Sequence, residues 1–371
     1  MKFVHERDSW PQFTWDAEVL SGALAAARHK QGRLIGRMEG LGLAARSEAN
    51  LVVMTREIVK SSAIEGETLN PDEVRSAIAR RLGLDAGGLP KPSRNVEGIV
   101  EMMMDATSKF EAPLTRQRLF DWHAALFPTG RSGMNRIVVG GWRTAESGPM
   151  QIVSGALGRE KVHFQAPEAD RLEGEMARFI RWFNEPPSTD PVIKAGTAHF
   201  WFVTIHPFED GNGRIARAIA DMALARADGV NERFYSMSAQ IEAERKDYYT
   251  QLEAAQKGDV DITRWLSWFL GCLDRAIDAA EVAIGEVTKK AKLWRSVGHV
   301  SLNDRQRRVI NRLLDGFIGD MTTSKYAGIA HCSRQTAFRD IHELVTYGIM
   351  IPNAAGGRST SYRLAEPGTA G

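Results

Sequence analysis

Residues 206–217, HPFEDGNGRIAR, gather one histidine, two carboxylates, two glycines flanking an asparagine, and two arginines. His206 can serve as a general base near neutral pH. Asp210 offers hard carboxylate oxygens of the kind that hold Mg²⁺ together with phosphates. Gly211 and Gly213 strip side chains from around Asn212, so backbone N–H groups can approach an anion. A helix beginning there would add its N-terminal amides and dipole. Arg214 and Arg217 lie three apart, hence on one helix face, and their planar forks suit phosphate oxygens. Base, metal ligand, anion cradle and cations together specify phosphoryl or nucleotidyl transfer.

Other chemistries fit the stretch less well. Gly211, Gly213 and Ala216 satisfy G-x-G-x-x-A, but a dinucleotide site needs a strand before it. Here the preceding apolar text runs back to Pro191, which is helix length. His199 and His206 lie seven apart, outside the i, i+4 spacing of zinc helices, so His199 reads as a structural histidine. Neither a G-x-x-x-x-G-K-[ST] loop nor a kinase signature set occurs. A merely solvated turn would explain Pro207 and Gly211, but not the concentration of the five polar residues.

The elements that must hold this stretch are mostly helical. The chain has 371 residues, 43% apolar and 25% charged, with a net charge of +2. Its length predicts two to three domains, and its pI near 8.5 implies no global pull on nucleic acid or membrane. Cys272 and Cys332 form neither a metal spacing nor a disulfide framework. With no apolar leader and no run of about 18 apolar residues, the chain reads as cytoplasmic, with no membrane partner.

The first fifteen residues read as an extended aromatic arm. Helices follow from Asp16 to Lys60, broken near Gly40 and Gly42. Ser93 caps a helix whose Val96, Ile99, Met102 and Met103 form an apolar stripe. LTRQRLFDWHAALFP is amphipathic, the Gly-rich text at 138–167 reads as a short hairpin and loops, and ADRLEGEMARFIRWFNE returns to helix. Asp190 and Pro191 form a helix start. Helices are expected from Gly213 to Asp228 and again over 261–294. Beyond a boundary near 290–302, a helix, a helix-turn-helix pattern and a β-wing predict a separate unit.

HPFEDGNGR with Arg217 resembles the Fic motif, H-P-F-x-[DE]-G-N-G-R-x-x-R, of Fic-domain protein adenylyltransferases, and matches every specified position. The resemblance covers roughly residues 1–290, in the arrangement with an N-terminal helical region and a C-terminal winged helix. It implies a mainly α Fic-fold helical bundle with a β-hairpin flap, plus a winged helix-turn-helix. The domains would be 1–92, 93–290 and 291–371. His206 would take the proton from a Ser, Thr or Tyr hydroxyl of a target protein, whose oxygen attacks the α-phosphate of ATP. Asp210 would hold Mg²⁺. Gly211, Asn212, Gly213 and Arg214 would form the anion hole, and Arg217 would reach the outer phosphates. Phosphorylating Doc-type members carry lysine where this chain has Gly213.

Upstream, SSAIEGE matches the family's inhibitory pattern [ST]-x-x-x-E-[GN] through Ser61, Glu65 and Gly66. The resemblance implies that Glu65 pairs with Arg217, displaces the γ-phosphate and leaves ATP unproductively bound. In some relatives the same glutamate supports removal of AMP. Met150, Gln151, Ile152 and Val153 fall where the family has its target-docking flap. Tyr248 and Tyr249 fall where relatives contact adenine, with a core role as the alternative.

In the last segment, Ser333 can cap a helix with Ala337, Ile341 and Leu344 inward and Arg334, Gln335, Thr336 and Arg339 outward, while Arg358 and Arg363 lie on the wing. The leading expectation is therefore an autoinhibited, Mg²⁺- and ATP-dependent protein adenylyltransferase, open to self-modification and to homodimer formation. The competing expectation is a transcriptional regulator that binds DNA through the winged helix and keeps the Fic domain as a nucleotide sensor.

Overall fold

A computed structural model describes residues 2–84, 88–154, 161–296, 300–314, 317, 319–353 and 360–365. The chain divides into two compact units, Met1–Glu281 and Val282–Gly371. The division falls inside a helix rather than in the 290–302 stretch that composition suggested.

The first unit opens with a single 3-10 turn, Val4–Glu6, instead of an extended arm. The aromatic residues that gave the segment its character are the reason. Trp10 is buried, its indole N–H donates to Glu175 Oε2 at 2.9 Å, and its ring meets the edge of Trp201. Helices α1 (Ala17–Glu39) and α2 (Leu43–Ile64) follow, with the Asp16 side chain accepting from the amides of Glu18 and Val19. Next comes α3 (Pro71–Arg81), started by the Asn70 side chain and by Pro71 at its first position.

Ser93 caps α4 (Arg94–Ser108), and Val96, Ile99, Met102 and Met103 are buried on it. Thr115 caps α5 (Arg116–Leu126). A two-residue pair, β1 (Arg131–Ser132) with β2 (Asn135–Arg136), leads to the antiparallel hairpin of β3 (Gln151–Ser154) and β4 (Lys161–Gln165). Then come α6 (Leu172–Asn184) and α7 (Pro191–Ile205). Asp190 caps α7 and Pro191 is its first residue.

Every residue from Val192 to Ile205 is buried. A helix apolar on all sides has to lie inside the bundle, and α7 is the axle of this one. Its aromatic residues pack outward, with Trp201 and Phe202 against Phe179 of α6 and Phe200 against Trp265. Each fully buried Phe contributes about 1.5–3 kcal/mol. Helix α8 (Asn212–Asp228) packs along α7, and the unit continues through α9 (Met237–Ala243), α10 (Arg245–Gln256) and, as far as Glu281, α11 (Thr263–Ser296). Among the described residues no helix is long and apolar enough to cross a membrane.

The second unit contains α12 (Asp304–Leu314), β5 (Met321–Thr322), α13 (Thr323–Ala330), α14 (Arg334–Thr346), β6 (Met350–Pro352) and β7 (Ser361–Leu364). Its three strands form an antiparallel sheet in the order β5-β7-β6. Val309, Ile310, Tyr326, Ala337, Ile341 and Leu344 fill its core. Ser333 Oγ accepts from the Thr336 amide at 3.1 Å and starts α14. Arg334, Gln335 and Arg339 are exposed and Thr336 is half-buried. Arg363 lies in β7, and Arg358 lies outside the described residues.

Candidate active site

The site is built on the loop between α7 and α8. His206 terminates α7 in a left-handed conformation, φ 51° and ψ 59°. Its Nδ1 stands 3.2 Å from the carbonyl oxygen of Val203. A carbonyl only accepts, so Nδ1 carries the proton and Nε2 keeps the lone pair. Burial lowers the imidazole pKa to about 4, with the Arg143 cation adding to the shift against the Val203 bond, Glu65 and Asp210. The ring is therefore neutral at pH 7 and able to accept a proton.

The loop is clipped from both sides. Asn212 Oδ1 accepts from the Phe208 amide at 2.9 Å, and its Nδ2 donates to the Phe208 carbonyl at 2.8 Å. That assignment consumes the side chain, so the expected role of Asn212 in the cradle contracts to its backbone N–H. Gly211 has φ +80°, and a Cβ on it would stand 2.9 Å from Phe127 Cε2, so both backbone and space demand glycine. From α5, His123 Nδ1 accepts the Gly140 N–H at 3.2 Å. That fixes its Nε2–H as the donor to the Asp210 carbonyl, also at 3.2 Å. The His123 ring stacks on Phe208 with centroids 4.2 Å apart, and burial lowers its pKa to about 4.

Helix α8 begins at Asn212, so the amides of Asn212, Gly213 and Arg214 occupy its first turn, where no carbonyl of the helix can reach them. Asp210 Oδ1 accepts from the Gly211 amide at 2.6 Å, and Ser132 Oγ donates to Asp210 Oδ2.

Arg214 and Arg217, in the first two turns of α8, are each paired with a carboxylate from the turn that follows α2. Arg217 is 2% exposed; its Nη2 lies 2.8 Å from Glu65 Oε1, and its Nε donates to Ser61 Oγ at 2.9 Å. The same Nη2 donates to the Ser61 carbonyl at 2.8 Å. Gly66, with φ +83°, turns the chain out of α2 just after Glu65. Arg214 Nη1 lies 2.7 Å from Glu67 Oε2, while Asn95 Nδ2 donates to the other oxygen of Glu67. A Cβ on Gly213 would sit 2.1 Å from Glu65 Oε1, so a side chain there would force the Glu65 carboxylate to shift from its present pose on Arg217.

Two buried donors, Arg217 Nη1 and Arg214 Nε, have no hydrogen-bond partner. Such orphaned donors are costly and would be satisfied by an anion. A cavity of about 630 Å³ opens beside Arg214, lined also by Glu65, Glu67, Asn95, Ser132 and Asp210. Among the described residues no three His, Cys, Asp or Glu side chains cluster as a metal cage. An ion at Asp210 would thus complete its shell from phosphates and water, which is how Mg²⁺ is commonly bound.

The expected docking residues lie on or beside β3. Met150 precedes the strand, and its carbonyl accepts from the Ala166 amide at 3.0 Å. Gln151 bonds Gln165 across the hairpin, while Ile152 and Val153 are exposed. The hairpin has two strands, so among the described residues the outer edge of β3 pairs with no strand.

Of the two tyrosines, Tyr248 is 2% exposed, with its hydroxyl 3.0 Å from His199 Nε2 and its ring among Trp265 and Trp268. It offers no ring face to a ligand, which corrects its inclusion as an adenine contact; the aromatic cluster behind α7 encloses it. Tyr249 is 39% exposed, and its hydroxyl stands 3.5 Å from the Ile64 carbonyl, next to Glu65.

Sequence reasoning missed Glu67, Asn95, Ser132, His123 and Arg143. Glu67 carried one faint signal, a second carboxylate two residues after Glu65. The other four reach the site through contacts that no spacing within a single element reveals.

The helical bundle and this loop define a Fic fold. A Fic family protein from Desulfovibrio desulfuricans G20 superposes with a TM-score of 0.53 at 21% identity, over 92% of this chain and 96% of that one. A Fic domain containing signaling protein from Bacteroides thetaiotaomicron gives 0.51 at 20% identity, over 69% and 98%. Residues 113–224 match the Fic/DOC family, and residues 3–84 match a domain of unknown function, DUF4172. The chain thus carries a Fic/DOC domain. It is 27% identical over 201 residues to protein adenylyltransferase fic-1 of Caenorhabditis elegans, covering 53% of this chain and 36% of that protein. Protein adenylyltransferase Fic of Drosophila melanogaster is 26% identical over 234 residues, 60% of this chain and 41% of that protein. The chain spans well under half the length of these curated relatives.

Proposed function

We propose that this protein transfers AMP from Mg²⁺-ATP to a Ser, Thr or Tyr hydroxyl of a target protein, and that it holds itself in check through Glu65. The observation that carries the reading is the meeting of a neutral His206 with a free Nε2 lone pair and a helix N-terminus bearing two arginines with unsatisfied donors. His206 Nε2 would accept the hydroxyl proton as the oxygen bonds to the α-phosphorus and pyrophosphate leaves. The α8 amides and Arg214 would carry the charge that develops on the phosphate oxygens. Asp210 would hold Mg²⁺, which supplies charge neutralisation on the phosphates. The unpaired β3 edge would seat the target segment by strand addition, and Tyr249 rather than Tyr248 would contact adenine.

In the described state Glu65 occupies Arg217 and Glu67 occupies Arg214, so the cations meant for phosphate are already neutralised. Nucleotides radiolabelled at the α- or γ-phosphate, with ATP, GTP and UTP compared, test the reaction. Label retained from α-labelled ATP, and lost in His206→Ala, supports AMP transfer. Label retained from γ-labelled ATP alone would make it a phosphotransferase.

For the second unit, the arrangement of α12–α14 and the sheet supports a winged helix-turn-helix. The exposed Arg334, Gln335 and Arg339 on α14 favour a DNA-contacting face. DNA retention at physiological salt that survives His206→Ala is expected if that face binds DNA.

A further inference from the structure

His206 and His331 are the two non-glycine residues with positive φ among those described. A left-handed backbone at a residue with a Cβ costs about 1–3 kcal/mol and persists only where the surroundings over-determine it. At His206 the amide donates to the Phe202 carbonyl at 3.0 Å, and the ring is tied to Val203. The remaining backbone group, the His206 carbonyl, accepts from Arg143 Nε at 2.8 Å.

Arg143 lies between β2 and β3 and is buried. Its own amide donates to the carbonyl of Pro207 at 2.9 Å, so it grips the two residues on which the turn pivots. Its Nη2 reaches the carbonyl of Pro167, just beyond β4. The guanidinium therefore spends its fork on main-chain carbonyls from two different segments. That is an unusual use of a buried cation, because burial disfavours the charged form and lowers its pKa, with only Glu168 opposing.

We propose that Arg143 is the positioning residue of the transfer reaction: it fixes the strained turn that sets where His206 Nε2 stands, and it ties that turn to the root of the β3–β4 hairpin. Base and docking edge are then held at one spacing. Lysine cannot replace it, because a single ammonium does not reproduce the directed Nε and Nη2 fork. The residues that face phosphate, 211–217, make no hydrogen bond to Arg143, so nucleotide affinity is not its concern.

This inference rests on the proposed AMP transfer, and it is tested in the full chain with Glu65→Gly as the active parent. Arg143→Lys should lower kcat by roughly 10²-fold, as a misplacement of about 1 Å does, while KM for ATP stays within a factor of about two. Arg143→Ala should regain part of its rate on adding dilute guanidinium chloride, but not on adding NaCl at equal ionic strength. Isotope-labelled histidine NMR gives a readout that needs no activity: the His206 signal should move in Arg143→Lys while that of His199 stays. An unchanged kcat, or an unchanged His206 signal in a folded Arg143→Lys, would overturn the inference. Inactivity of the Glu65→Gly parent would instead count against AMP transfer itself, and the NMR result would still decide the role of Arg143.

Discussion

Replacing Glu65 by glycine is the perturbation with the clearest magnitude. The carboxylate stands 2.8 Å from Arg217 Nη2. At that distance, with an effective dielectric near 20, the bare Coulomb attraction is about 6 kcal/mol. Glu65 is 33% exposed, however, so desolvation and screening reduce the net contribution. A charge-assisted hydrogen bond of this kind is worth about 1.5–3 kcal/mol. Taking about 2 kcal/mol as the competition that a γ-phosphate must overcome at Arg217, its removal raises productive occupancy about thirtyfold. The substitution places glycine at the C-cap of α2, at φ −87° and ψ 6°, a backbone conformation open to it.

The assay is initial pyrophosphate release from Mg²⁺-ATP by wild type, Glu65→Gln and Glu65→Gly. The glutamine variant loses the charge but keeps the bulk beside Gly213, and should fall between the other two. Equal rates for wild type and Glu65→Gly would refute the reasoning, since they would mean the pair does not compete with nucleotide.

Three further outcomes follow from the same geometry. Glu67→Gln should free Arg214 and raise the rate several-fold, adding to Glu65→Gly in free energy if the two carboxylates act on separate phosphates; nucleotide titrations of the single and double variants check this. Gly213→Ala should destabilise the wild type, because its Cβ falls 2.1 Å from Glu65 Oε1, and should do so much less in Glu65→Gly, which thermal unfolding of the four proteins reads directly. Stability should fall with acid: burial holds His123 near pKa 4 and His199 near 3 in the folded chain, both depressed from 6.5. The unfolded state then takes up protons first, so stability is intact above about pH 6.5 and is lost progressively between there and about pH 4. Urea midpoints at pH 7 and pH 5 test this, and His123→Gln should reduce the loss.

Much of this site was legible because it is local. The Fic motif, the capping residues Ser93 and Asp190, and the apolar length of 191–205 each act within about fifteen residues. Their chemistry reaches the sequence as spacing. Ser61 and Glu65 were legible for the same reason, although their partner Arg217 lies far along the chain.

What escaped is what depends on packing between distant segments. His123 and Arg143 hold the loop through backbone carbonyls, and a carbonyl leaves no mark on residue identity. Tyr248 and Tyr249 are neighbours of identical type on α10, yet one is enclosed by Trp265 and Trp268 and the other faces outward. The N-terminal aromatic residues read as an arm because the sequence did not show the α7 surface that Trp10 and Phe13 cover. Helices α3, α9 and α10 were not anticipated; α9 has only seven residues and breaks at Glu244 into α10, too brief for periodicity to stand out.

The most direct test of the central claim is intact mass of the full chain after incubation with Mg²⁺-ATP, comparing Glu65→Gly with Glu65→Gly/His206→Ala. A gain of one or more adenylyl groups on the first protein, and none on the second, is the expected result. Equal gain on both, or a gain of phosphoryl groups, would contradict a nucleotidyl transfer driven by His206 and restrained by Glu65.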